Sequence, residues 1–264
     1  MSATACFTLN SLSLAGKRGL IVGIANDQSI AWGCAQAVRC LGAELAITWL
    51  NDKARVYVEP LADQVQASLK LALDLNQAGA LEALFEQVKT HWGQLDFVVH
   101  SLASAPKEDL AGRLLDSSSA GFLQAMDISC HSFIRMARLA APLMRQGGTL
   151  ITMSYLGAQQ VIDGYALMGP VKAALEASVR YLAAELGAQN IRVHAISPGP
   201  MPTRAAAGLK DFDQLLEQAV ARAPLHRLAS LEDVGGLCAL LVSDAARGQT
   251  GGVHFIDGGL NILG

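Results

Sequence analysis

The sequence predicts an α/β fold, one mainly parallel, doubly wound sheet with helices on both faces. Three observations carry this. Short apolar runs alternate with longer stretches of helical period, the rhythm of successive βαβ units. Just over half of the 264 residues are hydrophobic, with Ala, Leu, Val and Gly abundant and aromatics few, which suits strands covered on both sides. No long linker, repeat or low-complexity tract interrupts the pattern, so residues 1–264 read as a single domain.

The first strand is predicted over Arg18–Ile24. It enters Gly23, where the chain can turn and bare backbone can approach a pyrophosphate. A helix over Ile30–Leu41 follows and starts near Ser29, where free N–H groups and the helix dipole suit an anion. The glycines Gly23 and Gly33 are ten apart, not in G-x-G-x-x-G spacing, so a plain N-cap by Ser29 fits the local pattern equally well. The second strand, Glu44–Trp49, ends in Leu50-Asn51-Asp52, where the adenosine ribose of a dinucleotide would lie. Asp52 disfavours a 2′-phosphate, while Lys53 and Arg55 act the other way; a solvated loop accounts for each charge as well.

The third strand, Ser68–Leu73, leads to Asp74 and Leu75, placed for an adenine edge. A helix over Leu81–Trp92 and a fourth strand over Leu95–Ser101 come next. The fourth strand delivers His100-Ser101-Leu102-Ala103, whose small residues let backbone pass close to a nicotinamide ribose; His100 itself reads as a packed structural histidine. A long helix (Gly121–Arg145), a strand (Gly148–Met153), a helix (Val171–Leu186), a strand (Arg192–Ser197), a helix (Leu231–Val242) and a last strand (Val253–Ile256) complete the chain. Right-handed crossovers put the ligands of such a sheet at the strands' carboxyl ends.

Tyr155, Tyr165 and Lys172 are the chemically distinctive residues. Tyr165 and Lys172 are seven positions apart, about two helical turns, so on a helix they share a face. An ammonium beside a phenol favours phenolate and lowers the tyrosine pKa, which makes it a better acid. The spacing alone also fits an ordinary surface helix.

Charge and composition exclude other classes. A net charge of −3 gives no electrostatic case for nucleic acid or anionic membrane. Cys6, Cys34, Cys40, Cys130 and Cys238 form no C-x-x-C pair and read as free thiols in a reducing compartment. The six histidines form no metal-ligand motif, so no metal is expected. No apolar run reaches membrane-spanning length, and the first residues lack a signal peptide's basic start and apolar stretch. The expected location is the cytoplasm.

Several motifs together resemble a known family. They are Gly-Ile-Ala-Asn-x-x-Ser-Ile-Ala-Trp-Gly (23–33), His-Ser (100–101), Ser-Tyr-Leu-Gly-Ala (154–158), Tyr-x6-Lys (165–172), Met-Gly-Pro-Val-Lys-Ala-Ala-Leu-Glu (168–176), Ile-Ser-Pro-Gly-Pro (196–200) and Asp-Gly-Gly (257–259). In this order and spacing, from about Gly16 to Asn261, they look like bacterial enoyl-acyl-carrier-protein reductase of the FabI type. That is a divergent branch of the short-chain dehydrogenase/reductases. Ordinary members place a tyrosine four residues before the lysine, where Met168 stands here, and a serine where Tyr155 stands.

The resemblance implies a Rossmann-type NAD(P)-binding fold, NADH as cofactor with NADPH as an alternative, and reduction of trans-2-enoyl thioesters in fatty acid biosynthesis. It makes Tyr165 the donor to the thioester oxygen and Lys172 the holder of the nicotinamide ribose, with Tyr155 as a second tyrosine helping to place the thioester. Cofactor contacts carried over are Gly23, Ser29, Ile30, Leu50, Asp74, Leu75, Ser101, Leu102, Lys172, Met201 and Thr203. Substrate contacts are Ala105, Tyr155 and Tyr165. A lid over about 199–222 would cover the acyl chain, and Arg204, Lys210 and Arg222 would receive an acidic carrier protein. The substrate is thus an enoyl thioester on acyl carrier protein or coenzyme A, and the family expectation is a homotetramer. The chain departs from the family at Leu50, Ser104, Gly164, Ala166 and His194. A short-chain reductase for another enone or carbonyl, and a non-catalytic nucleotide-binding regulator, are the alternative readings.

Overall fold

In a computed structural model, which describes residues 9–203 and 212–263, seven strands form one sheet. They are β1 (Arg18–Val22), β2 (Glu44–Trp49), β3 (Leu69–Ala72), β4 (Phe97–His100), β5 (Gly148–Met153), β6 (Ile191–Pro198) and β7 (Val253–Ile256). Their order is β3-β2-β1-β4-β5-β6-β7, and every pairing is parallel. Around them lie α1 (Ile30–Cys40), α2 (Asp52–Gln64), α3 (Ala80–Trp92), α4 (Lys107–Ala111), α5 (Ser119–Met126), α6 (Ser132–Ala140), α7 (Met168–Leu186), α8 (Phe212–Arg222) and α9 (Leu231–Val242). The predicted doubly wound sheet is present.

Strand residues alternate between two cores because successive side chains point to opposite faces. Ile21, Ile47, Val99 and Ile151 join Val38 of α1 and Val234 of α9 on one side. Leu20, Val98, Leu150 and Val193 join Leu84 of α3, Phe133 of α6 and Val171 of α7 on the other. Helices α1 and α9 meet backbone to backbone. A Cβ on Gly235 would stand 2.4 Å from the Gly33 carbonyl oxygen, and one on Gly33 2.5 Å from that of Leu231. That contact fixes α1, and with it the turn that leaves β1.

Four expectations need correction. Strand β1 stops at Val22, not Ile24, because Gly23 has φ +110° and leaves the extended region. The long helix over 121–145 is broken: a π-turn (Asp127–His131) separates α5 from α6, and a 3-10 turn at Ala141–Leu143 ends the run. The Ser129 hydroxyl in the π-turn accepts from the Ser104 N–H at 2.9 Å and donates to the Ser104 carbonyl at 3.1 Å. A helix carrying one extra residue can keep that side chain aimed at the loop after β4. The charges of Asp52, Lys53 and Arg55 lie not on a loop but in the first turn of α2, capped by Asn51, whose side chain accepts from the Ala54 N–H at 3.1 Å. Helix α7 begins at Met168, so Pro170 sits in its first turn, where no N–H is needed, and Tyr165 lies on the turn before the helix.

Of the lid expected over 199–222, residues 204–211, Arg204 and Lys210 among them, lie outside the described residues; α8 spans 212–222. Among the described residues, no helix is long and apolar enough to cross a membrane.

Candidate active site

The first βα turn lies where the sheet order reverses, with β2 on one side of β1 and β4 on the other. Connections depart in opposite directions there and leave a crevice at the strand ends. A cleft of about 430 Å³ occupies it. Gly23, Ile30, Leu50, Asp74, Leu75, Ser101, Leu102 and Lys172, all expected to touch a cofactor, line this cleft. Thr48 and Trp49, Ile128 of the π-turn, and Met153 and Ser154 line it too and were not anticipated. Met153 and Ser154 directly precede Tyr155, so their position was readable; Ile128 lies within the π-turn, which the sequence did not signal.

Ser29, Met201, Thr203, Ala105, Tyr155 and Tyr165 do not line the cleft. Ser29 acts from behind. Its hydroxyl accepts from the N–H groups of Ala25 at 3.0 Å and Asn26 at 3.1 Å, and it makes no cap bond to α1. It therefore shapes the turn after Gly23 rather than capping the helix. Met201 is buried beyond β6, and Thr203 is partly exposed at the edge of the described chain. Ala105 lies just past the lining residues Ala103 and Ser104.

Gly23 is required by geometry. A Cβ there would stand 2.1 Å from the Ser101 carbonyl oxygen, so the ends of β1 and β4 touch through bare backbone. At the far end of the cleft, the Arg55 guanidinium lies 5.5 Å from the Trp49 ring centroid. It also donates twice to Glu59, each bond 3.0 Å. Arg55 is therefore engaged on both its face and its edge. Hydrogen bonds from Asn76 backbone and side chain hold the Asp74 carboxyl below its ordinary range, so it is ionised at neutral pH.

At the near end, Lys172 is almost wholly buried, and its Nζ donates to the Met153 carbonyl at 2.7 Å. Burial lowers its pKa to about 8, with Cys130 and Glu176 acting in the opposite direction. Tyr155 and Tyr165 meet edge to face, ring centroids 4.8 Å apart. The turn bearing Tyr165 is tight: Gly164 has φ +73° and Ala166 φ +33°. A Cβ on Gly157 would stand 2.3 Å from the Tyr165 ring, so glycine there lets the two segments close.

The expected lowering of the Tyr165 pKa is overturned. Burial raises it well above the ordinary phenol value, with Tyr155 and Glu176 adding in the same direction, and burial also pushes Tyr155 up to about 12. Lys172 is turned toward a backbone carbonyl and is not among the groups that act on Tyr165. Both tyrosines thus remain protonated donors at neutral pH.

His100 is structural, as its sequence context implied. Ser132 donates its hydroxyl proton to the Ile128 carbonyl at 2.6 Å, so at 2.8 Å it accepts from His100 Nε2–H. Nδ1 then accepts from Thr152 at 2.8 Å. Burial, aided by Lys172, lowers the His100 pKa to about 3, so it stays neutral. His194 is buried with its Nδ1 3.0 Å from His254 Nε2, away from the cleft.

Lys172 thus lines the cleft, and Tyr155 directly follows its lining residue Ser154. The family model described as enoyl-(acyl carrier protein) reductase matches residues 23–261. The chain belongs to this family. One reductase relative, the NADH enoyl-acyl-carrier-protein reductase 1 of Rhizobium meliloti (strain 1021), is 46% identical over 249 residues, covering 94% of this chain and 92% of the relative. The Rickettsia felis NADH enzyme is 44% identical over 251 residues, covering 95% and 96%. Among solved reductases, that of Anaplasma phagocytophilum in complex with NAD superposes with TM-score 0.91 at 45% identity, covering 95% of this chain and 96% of that one. The Bacillus cereus reductase, solved with NADP+ and indole naphthyridinone, gives 0.93 at 43% identity, covering 95% and 98%.

Proposed function

We propose that this protein is an NADH-dependent enoyl-acyl-carrier-protein reductase, converting trans-2-enoyl thioesters to saturated acyl thioesters in fatty acid biosynthesis. The observation that carries this is the cleft lined by Ser154 and Lys172, with the packed Tyr155–Tyr165 pair beginning at the residue that follows Ser154. NADH-named relatives at 44–46% identity support the cofactor and the substrate.

The cleft fits a dinucleotide on its own evidence. Its first wall is backbone at Gly23, where a side chain has no room. Ser101, whose carbonyl touches Gly23, continues that wall with Leu102, and Lys172 lines the end assigned to the nicotinamide ribose. Leu50, Asp74 and Leu75 hold the adenosine end, with Ile30 at the start of α1 between them. Ser29 contributes by fixing the turn, and Met201 and Thr203 contribute from the lid side.

When bound, NADH supplies the hydride for the β-carbon of the enoyl group. The chain's residues answer the charge that then develops on the thioester oxygen. Tyr165 donates its O–H to that oxygen and stabilises the developing enolate more than the ground state. A phenol held protonated by burial is suited to this, since it acts as a hydrogen-bond donor that does not ionise first. Tyr155 packs on Tyr165 and helps orient the thioester, with Ala105 on the acyl side. Lys172 would hold the ribose hydroxyls. The lid over 199–222 excludes water from the acyl chain. Acyl carrier protein brings the substrate, Arg222 would help receive it, and the assembly would be a homotetramer in the cytoplasm.

The test is loss of nicotinamide absorbance with trans-2-enoyl thioesters on acyl carrier protein and on coenzyme A, NADH and NADPH in parallel. Thioester-dependent NADH oxidation is expected. Cofactor binding without oxidation on any enoyl thioester would overturn the reading.

A further inference from the structure

Helix α7 carries a second buried charge that the reaction as described does not use. Glu176 stands four residues after Lys172, one turn along the same face, and is only 4% exposed. Its Oε1 accepts from the Ser154 hydroxyl at 2.6 Å, and its Oε2 accepts from the Gln159 side-chain amide at 2.9 Å. Both lone-pair faces of a buried carboxylate are thereby directed into one loop. Burying a carboxylate is costly unless its oxygens are satisfied, and here the donors come from residues 154 and 159.

Those two residues bracket Tyr155. Lys172 holds the carbonyl of Met153, Glu176 holds the side chain of the next residue, Ser154, and Tyr155 follows directly. After the 3-10 turn Leu156–Ala158, Gln159 returns to the same carboxylate. The loop that carries Tyr155, and Gly157 against the Tyr165 ring, is thus tied to α7 at both ends through one side chain.

We propose that Glu176 is a positioning residue of the reductase: it clamps the 154–159 loop so that Tyr155 meets Tyr165, and it is the counter-charge of Lys172. The inference rests on the reductase reading for its kinetic arm. The groups facing Lys172 are Glu176 on its own helix, Cys130 from the π-turn and His100 from β4. Burial raises the Cys130 thiol and keeps it neutral, and burial keeps His100 neutral, so neither supplies negative charge at neutral pH. Glu176 remains as the compensating group, and it acts on Tyr165 in the same sense, holding the phenol protonated.

Two variants separate clamp from charge. Glu176→Gln keeps the size and loses the charge; Ser154→Ala keeps the charge and cuts one tether. For Glu176→Gln, kcat with an enoyl thioester should fall roughly tenfold. The alkaline limb of NADH binding, followed by nucleotide fluorescence, should move to lower pH as Lys172 loses its counter-charge. For Ser154→Ala, kcat should fall while that limb stays in place. Wild-type kcat in both variants, or an unmoved limb in Glu176→Gln, would overturn the proposal. Should Glu176→Gln not fold, the same comparison is made with Gln159→Leu, which frees the other end of the loop and should lower kcat without moving the limb; wild-type kcat in it would overturn the clamp. A wild-type protein that binds NADH and reduces no enoyl thioester overturns the reductase reading instead. The binding limb then tests the Glu176–Lys172 coupling by itself.

Discussion

The Tyr165 ring stands edge-on to Tyr155, centroids 4.8 Å apart, although they lie ten positions apart in the chain with a 3-10 turn between them. The arrangement keeps one phenol packed against the other and leaves both protonated. Tyr165→Phe retains the ring, and so retains the packing against Tyr155 and Gly157, but removes the O–H. Turnover of an enoyl thioester should drop on the order of 100-fold or more, with NADH affinity unchanged. Steady-state kinetics paired with a fluorescence titration checks this; wild-type turnover would remove Tyr165 from the chemistry.

Lys172 gives opposite signs for binding and stability. Its folded pKa is about 8 against an ordinary 10.5, because burial penalises the ammonium. Between those values the unfolded chain holds the proton that the folded chain has released. The contribution of this residue to stability therefore rises with pH across that window. The cation needed at the ribose is lost over the same range. NADH affinity should decline above about pH 8 while the Lys172 contribution to stability increases, and Lys172→Met should abolish both trends. Binding titrations and urea melts from pH 7 to about 10.5 measure the pair.

Gly23→Ala tests the cleft wall. The new methyl would fall 2.1 Å from the Ser101 carbonyl oxygen at a residue with φ +110°. Either β1 and β4 move apart at their ends or the turn changes conformation. The expected loss is on the order of 2–4 kcal/mol in stability, with NADH binding weakened severely. Wild-type affinity in the variant would show that bare backbone at this wall is unnecessary.

Glu59 restrains Arg55, whose guanidinium lies over the ring of the cleft-lining Trp49. With both carboxylate oxygens on Arg55, the guanidinium has its fork occupied. Glu59→Gln should free it for a 2′-phosphate and raise affinity for NADPH several-fold relative to NADH. The ratio of the two Kd values, measured in the same buffer, is the readout. An unchanged ratio would mean that Arg55 does not reach the phosphate position.

The alternation of apolar strands and helical stretches was enough to read the parallel sheet, its seven strands and the crevice at their carboxyl ends. Strand identities survived because the inner strands are buried on both faces, which leaves apolar runs in the sequence, while the edge strands β3 and β7 are only partly buried. Helix α2 did not announce itself: charged residues and Pro60 weaken its helical signal, and the side chain of Asn51 and burial of Val58 and Leu61 compensate only in the fold. The break between α5 and α6 was equally hidden, since it depends on Ser129 reaching Ser104, a contact across 25 residues.

By itself the sequence determined the fold class, the residues of the cleft that follow strands, and the trio Tyr155, Tyr165 and Lys172, because motif order and spacing are properties of the chain. Only the tertiary structure decided what those three groups are. The seven-residue spacing promised a shared helical face, yet Tyr165 precedes α7 and Lys172 is turned to Met153. Proximity promised an acidified phenol, yet burial raises it. Ser29 became a loop brace and Glu176 a buried anchor for the same reason. Desolvation and hydrogen-bond partners are set by what the fold brings close, and no spacing along the chain encodes them.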